Sequence, residues 1–71
     1  MLVRVSDPSR QTDLWVFLRN SGLVSLSKEG EDGMRVLANV NSRERLEEAL
    51  ELFGARYPGV TARVDDSLSS G

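Results

Sequence analysis

Along this chain the hydrophobic period changes in the order two, 3.6, two, two, 3.6, two. A period of two sets alternate side chains on opposite faces of a strand, whereas 3.6 gathers them along one stripe of a helix. With turn residues between the segments, the order reads strand, helix, strand, strand, helix, strand. That order constrains the fold more than any single residue does.

The segment Met1 to Ser6 alternates, with Val3 and Val5 on one face and Leu2, Arg4 and Ser6 on the other. Asp7-Pro8 then gives a capping carboxylate followed by a residue that loses no hydrogen bond at the first helical position. A helix is expected over Ser9 to Ser21, with Leu14, Phe17 and Leu18 inward and Trp15 beside them. Leu14 to Leu18 is also apolar enough for a buried strand. The flanking signals, Asp7-Pro8 and Asn20-Ser21-Gly22, favour helix. The next strand is expected over Leu23 to Lys28, with Val24 and Leu26 inward and Leu23, Ser25 and Ser27 outward. Glu29 to Gly33 reads as a hairpin loop. Met34 to Val40 returns, with Met34, Val36, Ala38 and Val40 inward and Arg35, Leu37 and Asn39 outward.

Asn41, three residues before Glu44, is the expected cap of a second helix. Leu46, Ala49, Leu50, Phe53 and Tyr57 make its apolar stripe, and charged residues fill the remaining circumference. Gly54 inside that helix points to a close contact or to fraying. Pro58-Gly59 ends it. Val60 to Asp65 supplies the last strand, with Val60, Ala62 and Val64 inward and Thr61, Arg63 and Asp65 outward. Residues 1–66 are expected to form a single domain, and 67–71 a disordered tail.

Under the right-handed crossover rule, two interlocked βαβ units give an α+β fold of the ferredoxin-like βαββαβ type. Its four-stranded antiparallel sheet has the order 4-1-3-2, with two helices packed on one face. This plan, over residues 1–66, resembles at a distance the ACT-type regulatory modules, which pair through sheets or helices and bind small effectors. Asp7-Pro8-Ser9 stands where such modules carry a Gly-containing turn, so the resemblance brings no site residues with it. Ser6-Asp7-Pro8, Phe17-Leu18-Arg19 and Tyr57-Pro58-Gly59-Val60 look like segments of small stand-alone bacterial ferredoxin-like proteins of unassigned function.

Missing residue types exclude whole chemistries. The chain has no Cys and no His among its 71 residues. Disulfides, zinc ribbons, thiolate nucleophiles and His-based triads are therefore ruled out. No catalytic, cofactor-binding or metal site is expected. Glu29, Glu31 and Asp32 are clustered but lack the spacing of a calcium loop, and read as a solvated hairpin tip. No phosphate-loop or dinucleotide signature is present. No apolar run reaches a membrane span, and residues 1–20 lack the pattern of a secretory signal, so a cytoplasmic, non-enzymatic protein is expected.

What remains is the sheet face opposite the helices. Leu2, Arg4, Arg35, Leu37 and Arg63 are the candidate interaction residues on it. Three readings stand. Arginine and leucine together suit a protein interface, making the chain an interaction or regulatory module, homodimeric through this face or bound to a partner protein. Alternatively, the arginines bind a small ligand or anion. Single-stranded nucleic acid stands behind these, because stacking aromatics are missing from the central strands and the net charge is −2. The third reading is a face left to solvent, as antiparallel sheets commonly have.

Overall fold

The computed structural model describes residues 1–65. The expected tail, 67–71, lies outside the described residues. The elements are β1 (Leu2–Val5), a 3₁₀ turn (Pro8–Arg10), α1 (Gln11–Asn20), β2 (Leu26–Glu29), β3 (Gly33–Val36), α2 (Arg43–Arg56) and β4 (Ala62–Val64). The strands form one antiparallel sheet in the order β2-β3-β1-β4, the same order as expected when read from the other edge.

The core explains why the sequence chooses this arrangement. Val3 and Val5 of β1, with Met34 and Val36 of β3, bury one face of the sheet. Against it pack Leu14 and Leu18 of α1 and Leu46, Ala49, Leu50 and Phe53 of α2. The two stripes are those the 3.6 period marks. Phe53 is fully buried and meets Phe17 edge to face at 5.6 Å between ring centroids, joining the helices at their contact. Trp15 is half-buried against the core, its indole N–H pointing to the Leu26 carbonyl at 3.4 Å. Tyr57 closes the stripe, with its ring 4.8 Å from that of Phe53 and the Arg10 guanidinium over it.

The first helix begins as the Asp-Pro pair predicts. The Asp7 carboxylate accepts from the Ser9 amide at 3.0 Å and from the Ser9 hydroxyl at 2.7 Å. One turn of 3₁₀ precedes α1, so the α-helix starts two residues later than Ser9. At its end, Gly22 takes φ +93°, its N–H donates to the Arg19 carbonyl, and the Leu23 N–H donates to the Leu18 carbonyl. This is a Schellman cap, in which the residue after the glycine folds back onto the helix. It corrects the expectation for Leu23, which is buried in the core rather than turned outward from a strand.

The same cap shortens the second strand. Ser25 sits at φ +56°, in the left-handed region that breaks an extended run, so β2 starts at Leu26 and Val24 is exposed instead of inward. The returning strand also stops early, at Val36, leaving Ala38 and Val40 exposed rather than inward. The side chain of Asn41 takes over beyond that point. It accepts from the Val24 N–H and donates to the Val24 and Leu37 carbonyls, satisfying backbone groups where the ladder has ended. Because Asn41 is committed there, α2 is capped by Ser42, whose Oγ accepts from the Arg45 amide at 3.3 Å. The asparagine expected as the cap is displaced by one residue.

The hairpin is tighter than expected. Glu29 and Gly33 are paired strand residues, which leaves Gly30-Glu31-Asp32 as the turn. Gly30 supplies φ +65°. A Cβ on Gly33 would lie 2.4 Å from the Glu29 carbonyl oxygen, so only glycine fits the close of this turn.

Candidate functional site

Strand alternation turns Leu2, Arg4, Arg35 and Arg63 away from the buried residues of their strands, onto the face opposite the core. Their pairing defines two rows across the sheet. In the first, Glu29, Gly33, Arg4 and Arg63 stand side by side on β2, β3, β1 and β4. In the second, Ser27 and Arg35 lead to Leu2, and Asp65 donates its N–H to the Leu2 carbonyl just beyond β4. Leu37 follows Val36 at the end of β3, where it is 47% exposed and borders an open groove with Leu2 and Arg35. All five candidate residues therefore lie on or at the rim of one surface.

The face differs electrostatically from an arginine patch. The Arg4 guanidinium lies between two carboxylates, with Nε 3.0 Å from Asp65 Oδ2 and Nη1 3.0 Å from Asp32 Oδ1. Arg35 donates from two nitrogens to both oxygens of Glu29, at 2.6 and 2.7 Å. These partners hold Arg4 and Arg35 firmly protonated, and the Arg35 fork lowers the Glu29 carboxyl below its usual range. Among the described residues, the three arginines Arg4, Arg35 and Arg63 thus share this face with three carboxylates, Glu29, Asp32 and Asp65, so their charges balance. Arg63 makes no ion pair among the described residues.

Alternation marks the arginines in the sequence, whereas Glu29 and Asp32 read there as part of a solvated tip. The signal that recovers Glu29 is its spacing from Ser27, two residues along the same strand. Asp32 carries no such signal, since it reaches Arg4 only through the geometry of the turn. Gly33 was also hidden: counted as loop, it is instead the gap in the first row, between Glu29 and Arg4.

Elsewhere the surface offers little chemistry. Among the described residues there is no group of three or more acidic side chains placed to hold a metal ion. No helix is long and apolar enough to cross a membrane among those residues. The acidic side chains of α2 lie exposed on the helix surface, where Glu47 pairs with Arg43 one turn away. No described protein family, curated protein or solved structure matches this chain.

Proposed function

We propose that this protein is a small non-enzymatic interaction module of the ferredoxin-like type, acting in the cytoplasm and associating through its open sheet face as a homodimer. The observation that carries the reading is the charge balance of that face. A surface on which, among the described residues, three arginines are balanced by three carboxylates, with Arg63 a guanidinium fork outside the ion pairs and with Leu2 and Leu37 beside them, offers a hydrogen-bond donor, apolar area and no net repulsion to a second protein surface. Arginine forks of this kind are enriched where protein surfaces meet.

The same observation disfavours the anion-binding alternative. A phosphate arriving at Arg4 would compete with Asp32 and Asp65, and one arriving at Arg35 with both oxygens of Glu29. Its own negative charge would be repelled by the carboxylates it displaced. Nucleic acid would meet the same obstacle, with the further lack of stacking rings.

Sedimentation of the whole chain over a range of concentrations tests the reading. The wild type is expected to pass from monomer to dimer, and Leu37→Glu to shift it toward monomer with its circular dichroism unchanged, because a charge buried at an interface without a partner is costly. A wild type that stays monomeric, or a Leu37→Glu variant that dimerises as well as the wild type, would overturn it.

A further inference from the structure

The two rows of the open face have a polarity, and it makes the surface complementary to itself. In the first row a carboxylate stands at the β2 edge, Glu29, and an arginine without an ion-pair partner among the described residues at the β4 edge, Arg63, with Gly33 and Arg4 between them. Consider a second copy related by a two-fold axis that runs parallel to the strands, over the boundary between β3 and β1. Such an axis reverses the strand order, so β2 faces β4 of the partner and β3 faces β1. It leaves the level along the strands unchanged. Glu29 then lies opposite Arg63 of the other copy.

The remaining positions follow from the same operation. Arg4 lies opposite Gly33 of the second copy, the one position in these rows without a side chain, which leaves room for a long arginine in the roughly 10 Å between packed sheets. In the second row Arg35 lies opposite Leu2, and Ser27 opposite Asp65. An acceptor thus meets a donor at the edges, and a long stem meets an apolar side chain or a gap at the centre. A like-charge contact occurs at none of these positions. Because the operation is two-fold, every contact is made twice, and an isologous pair closes at two copies.

We propose that the partner of this face is a second copy of the same chain in this register, with Glu29 of each protomer paired to Arg63 of the other. The inference rests on the association reading above and adds the partner, the axis and the pairs. It also gives Arg63 a role: this cation is the recognition element of the interface. Glu29 keeps its bond to Arg35 and accepts from Arg63 with remaining lone pairs, which a carboxylate has in sufficient number. The surface excludes a purely acidic or purely basic partner, since either would meet repulsion in both rows.

Charge exchange distinguishes this register from association in general. Arg63→Glu brings two carboxylates together across each edge of the dimer, and Glu29→Arg brings two guanidinium groups together. Each single variant is expected to weaken dimerisation at least tenfold by sedimentation, and more at low salt than at high salt. The double variant, which swaps the signs, is expected to recover most of the loss. Should either reversal fail to fold, Glu29→Gln, Arg63→Gln and their double variant make the same test, the second substitution then costing less than it does alone. A wild-type dimer in which neither pair of variants couples would overturn the register and leave the association reading standing. Absence of any wild-type dimer would overturn both.

Discussion

Asp7 shows how much one side chain determines in a chain of this size. Its carboxylate collects the hydroxyl and then the amide of Ser9, and those two bonds lower its pKa below the ordinary value. A carboxylate depressed in the folded state binds its proton less readily there than in the unfolded chain. Its contribution is therefore complete above the unfolded value, near 4, and is lost as the pH falls through the folded one. Asp7→Ala is expected to lower the melting temperature at neutral pH. On acidification below about pH 4 the gap between variant and wild type should narrow, because the wild type loses the same bonds. Thermal melts at a series of pH values check this, and a constant gap would count against the cap. Glu29, depressed by Arg35, shifts stability in the same direction.

At the level of elements, the helices were legible and the strand ends were not. The stripe from Leu46 to Phe53 and the pair Leu14 and Leu18 are buried where their period puts them, since burial of a stripe is what a helical period records. Strand limits depend on events with no period. The Schellman cap that draws Leu23 inward and the positive φ of Ser25 shorten β2, while beyond β3 the side chain of Asn41 bonds the backbone of Leu37 and of the distant Val24 in place of a ladder. The signal for the first was present: Gly22 followed by Leu23, with Leu18 one turn earlier, is the pattern of a helix stop with a hydrophobic latch. Gly54 gives a test within α2. A Cβ there would stand 3.7 Å from the Val60 carbonyl oxygen, an ordinary contact, so the glycine is not required by space. Gly54→Ala is expected to stabilise the protein by about 0.4–1 kcal/mol, chiefly by restricting the unfolded chain. Denaturant melts would show it as a raised midpoint with an unchanged slope.

For the molecule as a whole, size sets the scale of every effect. A domain this small has a total stability of roughly 4–10 kcal/mol. Phe53 is fully buried where the helices meet, and removing it leaves a void beneath both of them. Phe53→Ala is expected to cost about 3–5 kcal/mol, a large share of the total. Circular dichroism should show the variant melting far below the wild type, and a melting curve close to the wild type would mean that the ring lies outside the folding core. The open face has the opposite character. Its residues were legible by alternation, yet their charge balance was not, because Asp32 reaches Arg4 through a turn whose geometry the sequence does not state.

The left-handed Ser25 has a consequence beyond shortening one strand. It leaves β2 only four residues long at one margin of the sheet, while β4, at the other margin, spans three residues among those described. Long bare margins are templates on which foreign or sibling chains add rung after rung, and that growth has no natural end. Among the described residues each margin is too brief to seed such a ladder, so the pairing proposed for the broad side would not have to compete with open-ended growth at the rims.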